Sequence, residues 1–450
     1  MSREAQSASL PLAIEYTAPS HLKFNPKNAR SHKPPQIAAI ARSIQTFGFN
    51  IPIVTDEAGQ ILAGHGRAAA ALKLGLEAVP VVRIAHLSPA QREAFAIADN
   101  RLTDTSHWDE QLLGEVLREL SLADLDFELD AIGFSVCEID LKIEGAMSVG
   151  EGPDNDDALV ELTGPAITSL DDLWLLGKHP FTHRMFCGDA LVPENWVTLM
   201  DGAKGHMVFS DPPYNLPVDG FISGLGKIRH REFHSASGEM DRDQFTTFLA
   251  DVFSQMARNV EGGSLAYICM DHRHLVEMLT AGESSFSEFK TLCVWAKHAG
   301  SMGGLYRNQM ELVFVWKAGR GRNRDNVALG KFGRNRTNVW NYPGIAGFRY
   351  SEGGDLLKTH PTCKPVRLVA DAILDVTARG EIVIDPFLGS GTTIIAAERT
   401  GRIAYGMEID PLYCDAILRR YRDLTGDEPI LASTHQTLAE LEAERGAAAE

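Results

Sequence analysis

The 450-residue sequence predicts an α/β protein in two parts, a large unit built on a twisted sheet and a smaller α/β unit ahead of it. Three observations carry this. Short apolar runs such as Met207-Val208-Phe209 and Ile382-Val383-Ile384 are too short for helices and run into the carboxylates Asp211 and Asp385, as buried strands do. Helical patterns stand between the strands; that of Arg242 to Asn259 places Phe245, Phe248, Leu249, Val252, Phe253 and Met256 on one core face. Gly145 to Asp157, which contains Gly-Glu-Gly-Pro-Asp-Asn-Asp-Asp, has the composition of a linker and sets the boundary.

Taken in order, residues 1–15 carry no strong pattern and read as a loose terminus. Gln36 to Phe47 has helical periodicity and stops at Gly48. Ile51 to Thr55 and Ile61 to Ala63 are strands, Gly64-His65-Gly66-Arg67 opens an alanine-rich helix from Ala68 to Leu74, and Val79 to Ile84 is a further strand. Residues 85–144 are helical and increasingly acidic, with Trp108 as a core anchor. The second unit begins with a hairpin, Leu173 to Leu176 and Phe181 to Phe186. After the strand His206 to Ser210 come strands at Ser264 to Cys269, Phe289 to Trp295 and Glu311 to Trp316. The divisions are therefore 1–144, a linker at 145–164, a unit at 165–435 and an acidic tail at 436–450.

Composition bounds the class. With 44% hydrophobic and 23% charged residues the chain is globular. It has no apolar run of membrane-spanning length and no basic-then-apolar leader, which predicts a cytoplasmic protein without a membrane partner. Six cysteines without a Cys-x-x-Cys pair read as buried small hydrophobes in a reducing compartment, and no metal site is expected. The net charge of −17 argues against a nucleic-acid partner, but its distribution does not. Residues 109–144 hold eleven acidic and two basic side chains, whereas Lys317 to Arg336 holds seven basic side chains against Asp325 alone.

The chemistry-bearing stretch is Asp211-Pro212-Pro213-Tyr214. A nucleobase taken out of its stack needs an aromatic face, here Tyr214, and its exocyclic amine needs two acceptors, here the Asp211 carboxylate and the Pro212 carbonyl. Alone, the tetrapeptide is equally a rigid turn after a strand. The second motif decides between them. A β-branched strand ends on Asp385 and passes through Pro386-Phe387-Leu388-Gly389-Ser390-Gly391-Thr392 into a helix, glycines there allowing close backbone approach to a ligand. The lysine of a phosphate-binding loop is missing after Gly391. A following strand ends in Glu408, at the distance where an acid holds ribose hydroxyls.

These motifs resemble the target-amine and S-adenosyl-L-methionine sites of the amino-group DNA methyltransferases, in the order of the circularly permuted beta group. His360-Pro361-Thr362-Cys363-Lys364-Pro365 and Gly188-Asp189 match two further family elements, and the resemblance spans about residues 165–420. It implies a Rossmann-like S-adenosylmethionine-dependent methyltransferase fold. It also implies transfer of a methyl group to adenine N6, since Asp211 stands first in the tetrapeptide, with cytosine N4 as the alternative. Asp211, Pro212, Pro213 and Tyr214 would be catalytic. Asp189, Lys364, Asp385, Phe387, Gly389, Ser390, Gly391, Thr392 and Glu408 would hold the cofactor, although Lys364 equally suits pairing with a neighbouring carboxylate. The family keeps its target-recognition region between the two motifs, about residues 317–358 here. Arg320, Arg322, Arg324, Lys331, Arg334 and Arg336 are accordingly expected to contact double-stranded DNA. The implied setting is restriction–modification, and the implied assembly a homodimer.

The first unit resembles the ParB/sulfiredoxin-like domain, whose Gly-x-x-Arg turn holds a nucleotide's phosphates. Gly64, His65, Gly66 and Arg67 are the matching residues, and a tight structural turn with Arg67 on a local carboxylate is the competing reading. His65-Gly66 departs from the Glu-Arg of partition proteins and from the cysteine of sulfiredoxin, so neither activity is carried over. A DNA- or nucleotide-binding regulator with a degenerate methyltransferase domain, and methylation of a protein amide, which a similar Asn-Pro-Pro-Tyr turn supports, are the remaining alternatives.

Overall fold

The computed structural model describes residues 12–26, 28, 30–104, 107–123, 125–147, 155–157, 164–215, 238–301, 306–327, 330, 336–343 and 363–447. The chain divides into two compact units, Met1–Ser148 and Val149–Glu450.

In the first unit, strands β1 (Ile14–Thr17), β2 (Ile53–Thr55), β3 (Ile61–Ala63) and β4 (Val79–Arg83) form a sheet of order β1-β4-β2-β3. Helices α1 (Pro34–Phe47) and α2 (His65–Leu74) accompany it, and Leu22, Ile53, Ile61, Ala68, Ala71, Val79 and Val81 make its core. Alanines suit α2 because a short side chain lets the helix lie close to the sheet. The last two residues of the terminus expected to be loose, Ile14 and Glu15, begin β1, whose register against β4 pairs Ile14 with Val82 and Thr17 with Val79. It is a four-residue edge strand whose apolar residues, Ile14 and Tyr16, are exposed, so its signal is short and marks no core face. Helices α3 (Pro89–Asp104), α4 (Glu110–Leu122) and α5 (Val136–Met147) come next, and α4 and α5 share a cluster around Leu117, Ile139 and Ile143. Helix α5 runs past residue 144, so the expected linker start falls inside it. Trp108 is 65% exposed and only meets Phe134 edge-on, so it is not a core anchor.

The second unit is a three-layer αβα sandwich. Its strands are β5 (Leu173–Leu176), β6 (His183–Cys187), β7 (Gly205–Ser210), β8 (Val260–Met270), β9 (Glu288–Ser301), β10 (Asn308–Lys317), β11 (Val339–Asn341), β12 (Ile382–Asp385), β13 (Ile403–Glu408) and β14 (Ile430–Leu431). They lie in the order β11-β9-β10-β8-β7-β12-β13-β6-β5-β14. The run β8-β7-β12-β13-β6 is parallel throughout. Alternation along β7 shows how the layers are made: Met207 and Phe209 enter one core, Val208 the other.

Helices α9 (Val366–Val376), α10 (Thr392–Thr400) and α11 (Pro411–Thr425) cover the first of these faces. Helices α6 (Pro193–Met200), α7 (Arg242–Arg258) and α8 (Leu275–Ser285) cover the second, with Trp196, Phe245 and Met278 buried. The acidic tail is a correction: α12 (Leu438–Ala447) buries Leu438 and Leu441 in the first core, two apolar residues at helical spacing deciding against the surrounding charge. All six cysteines are free, and no described helix is long and apolar enough to cross a membrane.

Candidate active site

Four loops leave the same edge of the sheet, because four neighbouring parallel strands, β7, β12, β13 and β6, end there. They carry Asp211 to Tyr214, the Asp385 to Thr392 loop, Glu408, and Gly188-Asp189 respectively. Three strand-to-strand steps of about 4.8 Å give a row roughly 14 Å long. Side chains and backbone knit the ends together. Ser210 Oγ donates to Asp385 Oδ1 at 3.2 Å, Leu388 N to Met407 O at 2.9 Å, Gly389 N to Glu408 Oε2 at 2.9 Å and Gly188 N to Glu408 O at 2.9 Å. Every described residue of the sequence-derived catalytic and cofactor sets therefore lies along this row. His360, Pro361 and Thr362 lie outside the described residues.

At the end of β12 Asp385 also accepts from Thr393 Oγ1 at 2.6 Å and Phe387 N at 3.1 Å. Burial pushes its carboxyl up to about 7, these hydrogen bonds opposing the shift. Burial likewise brings Glu408 to about 7 against hydrogen bonds from Asp410 and Gly389 N–H groups. Among the described residues neither carboxylate has a cationic partner, so the two would favour a ligand that brings positive charge. Gly391 sits at φ +78°, and a Cβ there would come within 2.8 Å of Ile417. The loop can be this tight only with glycine. Asp189 accepts from Leu191 N at 2.9 Å and shapes the entry into α6. Cys363 Sγ donates to Ser390 Oγ at 2.6 Å, and Thr392 Oγ1 to the Lys364 carbonyl at 3.3 Å, which fixes the backbone ahead of α9 on this loop.

The Asp211 end of the row holds residues that the sequence motifs do not reveal. Lys364, expected to hold cofactor, instead sends its ammonium to Asp211 Oδ2 at 2.5 Å and Glu311 Oε2 at 3.0 Å. Glu311, on β10, in turn receives Lys297, on β9, at 2.5 Å through Oε1. Tyr214 OH donates to Asp211 Oδ1 at 2.7 Å. The Lys364 ammonium lies 5.6 Å from the Tyr214 ring centre and 5.9 Å from that of Trp295.

Burial alone would favour neutral lysine, but Asp211 and Glu311 reverse this and hold Lys364 charged. Burial pushes the Asp211 carboxyl up while Lys364 pulls against it, and burial with the Asp211 charge keeps Tyr214 protonated well above its ordinary range. For Glu311 burial opposes ionisation, yet Lys364 and Lys297 outweigh it and hold the carboxyl at about 2. The signal in the sequence was a carboxylate heading the apolar run Leu312 to Trp316. A charge in that place is rarely left unpaired.

The basic segment is the main correction. Strand β10 descends from the active edge, and residues 318–324 just after it lie at the opposite end of the sheet: Gly263 N donates to Ala318 O, and a Cβ on Gly262, near the start of β8, would stand 2.4 Å from Arg320 O. Arg320, Arg322 and Arg324 are exposed there, Arg324 pairing at 2.7 Å with Glu381, just ahead of β12. The eight residue steps from Gly262 to Met270, at about 3.3 Å each, place them roughly 26 Å from the crevice. Arg336 is not a surface cation at all. It bridges Asp371 and Asp375 of α9 at 2.9 Å each and stacks over Trp340 at 5.1 Å. Lys331 and Arg334 lie outside the described residues. Sequence order alone could not reveal which end of a sheet a loop returns to.

In the first unit Gly64 adopts φ +96° at the head of α2, and the Arg67 guanidinium folds back beside it, donating to Pro52 O at 3.3 Å. Its Nε is buried without a hydrogen-bond partner. His65 Nε2 accepts from Asn25 N at 3.4 Å.

A parallel sheet whose strand ends bring a buried carboxylate beside a glycine loop and two further acids is an α/β scaffold with one acidic crevice. Residues 205–419 match the family model described as DNA methylase, of the N6/N4 type. Residues 205–419 are a domain of the N6/N4 DNA methylase family, and the N-terminal unit belongs to the ParB-like family. That unit is 39% identical over 82 residues to the ParB-like nuclease domain-containing protein YnaK of Escherichia coli, covering 18% of this chain and 94% of that protein. The Type II methyltransferase M2.MboI of Moraxella bovis is 23% identical over 230 residues, 49% of this chain and 81% of that one. A putative DNA modification methylase of Thermus thermophilus, solved with S-adenosyl-L-methionine, matches at 20% identity and a TM-score of 0.38 over 54% of this chain and 93% of its own. The family acts on DNA and depends on S-adenosyl-L-methionine.

Proposed function

We propose that the protein transfers a methyl group from S-adenosyl-L-methionine to the N6 amine of adenine in double-stranded DNA. The observation that supports the reading is the junction of Asp211 and Asp385 through Ser210: two carboxylates at adjoining strand ends, one suited to accept the amine and the other to hold the cofactor. The cofactor supplies a methyl group on a positively charged sulfur. Asp385, Phe387, the Gly389-Ser390-Gly391-Thr392 turn, Glu408 and Asp189 would hold it, the two raised carboxyls ionising against its charge.

The obstacle is an exocyclic amine whose lone pair is spread into the ring. Asp211 and the Pro212 carbonyl accept its two hydrogens, which favours a pyramidal nitrogen with a directed lone pair. Asp211 stabilises the positive charge developing on that nitrogen and receives the proton it sheds. Tyr214 stacks the everted base. In the first unit, Gly64, His65, Gly66 and Arg67 are assigned to an anionic nucleotide, on the strength of the unpartnered Arg67 Nε.

The test is a digest of DNA incubated with enzyme and methyl-labelled cofactor, run against nucleoside standards. Label in N6-methyladenine is expected, and label in N4-methylcytosine alone would end the adenine reading. Asp211→Ala should abolish transfer while cofactor binding persists.

A further inference from the structure

On the reading that Asp211 receives the base amine, we propose that Lys364 is a movable counter-ion. It is handed from Asp211 to Glu311 when a base enters, and Glu311 is thereby a positioning residue for methyl transfer.

Both oxygens of Asp211 are committed as the site stands, Oδ2 to Lys364 at 2.5 Å and Oδ1 to Tyr214 OH at 2.7 Å. Each oxygen keeps a second lone pair, yet the ammonium competes with an incoming amine for the Asp211 charge, so the amine is accepted most strongly once a partner withdraws. Each partner has the same alternative: Glu311 Oε2 lies 3.0 Å from the Lys364 ammonium and 3.5 Å from Tyr214 OH. The ammonium also lies toward the Tyr214 and Trp295 rings, on the aromatic side where a base would have to come.

Energetics favour a hand-over above expulsion. Lys364 is 5% exposed, and breaking its contact with Asp211 without a second acceptor would strand a buried charge. Passing to Glu311 keeps the ammonium paired throughout. Glu311 is ready to take it because Lys297 holds its other oxygen at 2.5 Å. The backbone need not move: the Lys364 carbonyl stays bonded to Thr392, so only the side chain swings.

The experiment first establishes that wild-type protein methylates DNA with labelled cofactor, since failure there sinks the proposed function and not this inference. Transfer rates across pH are then compared for Glu311→Gln, Glu311→Gln/Lys364→Met and Lys364→Arg, with cofactor affinity measured by calorimetry. Glu311→Gln should bind cofactor as wild type does but transfer at least about tenfold more slowly, because Lys364 stays on Asp211. Adding Lys364→Met should recover part of that loss, most of all in alkaline buffer, where Asp211 ionises without its ammonium. Damage to the fold would not be repaired by a second substitution.

Lys364→Arg, whose fork spans both carboxylates at once, should be slow with cofactor binding intact, and it serves if Glu311→Gln does not fold. A wild-type rate in Glu311→Gln or in Lys364→Arg, or a double variant no faster than Glu311→Gln at any pH, would overturn the proposal.

Discussion

Ser210 Oγ donates to Asp385 Oδ1 at 3.2 Å, joining the last residue of β7 to the last residue of β12. The bond crosses the line between the base and cofactor halves of the row. It is buried, and it orients a carboxylate that also takes Thr393 and Phe387.

Removing that hydroxyl leaves Asp385 charged at one fewer donor. Ser210→Ala should therefore weaken cofactor binding by about 1 kcal/mol, roughly fivefold, while the thermal midpoint moves little. Calorimetric titration with the cofactor checks this. Unaltered affinity would mean that Asp385 is held by Thr393 and the backbone alone.

The pH dependence of cofactor binding has a definite sign. Burial raises both Asp385 and Glu408 to about 7, so each is partly neutral near neutral pH in the free protein. Their raised values also mean that ionising them costs the free fold stability as pH rises from the ordinary carboxylate range toward 7. A cationic ligand binds their ionised forms better, so affinity should fall as pH drops through 7 and level off above it. Asp385→Asn should bind more weakly at alkaline pH and lose part of that dependence. A flat profile in the wild type would count against both carboxylates facing the cofactor.

How far the sequence is legible depends on the kind of interaction. The strand ends at Asp211, Asp385 and Glu408 can be read because short apolar runs and glycine turns are local signals. Strand β1 cannot, since its Ile-Glu-Tyr-Thr alternation is only four residues long and, on an edge strand exposed along nearly its whole length, marks no buried face. Glu311 and Lys297 escape because their meaning lies in the register of β10 with β9, which pairs Glu311 with Trp295, and in the approach of Lys364 from far along the chain. The arginines mislead for a related reason: seven basic residues in a row of twenty give local charge, and nothing in them states which end of a sheet they occupy.

Arg336 separates a structural cation from a surface one. It is 16% exposed and spans two α9 carboxylates that are also shielded, and Tyr342 OH donates to one of them, Asp371. Arg336→Met should cost about 3–5 kcal/mol of stability, as loss of one partner leaves buried carboxylates uncompensated. Arg322→Glu, on the exposed far end, should stay within about 0.5 kcal/mol of wild type. Urea unfolding of the two variants reads the difference. Equal, small losses would show that the α9 pair contributes nothing.

Gly391 offers the most local test of the cofactor turn. Its φ of +78° already disfavours a side chain, and an added Cβ would stand 2.8 Å from Ile417 Cγ2 and 3.0 Å from Cγ1, on the helix that backs the loop. Two effects are superposed in Gly391→Ala: backbone strain, which no neighbour can relieve, and a clash, which a smaller neighbour can. Gly391→Ala should weaken cofactor binding at least about tenfold. Ile417→Val removes a methyl but keeps Cγ2, so it should restore little, whereas Ile417→Ala removes both clashing carbons and should restore the part owed to the clash. Calorimetry on the two double variants distinguishes these contributions, and full binding by Gly391→Ala itself would show that the turn is not held in the left-handed conformation.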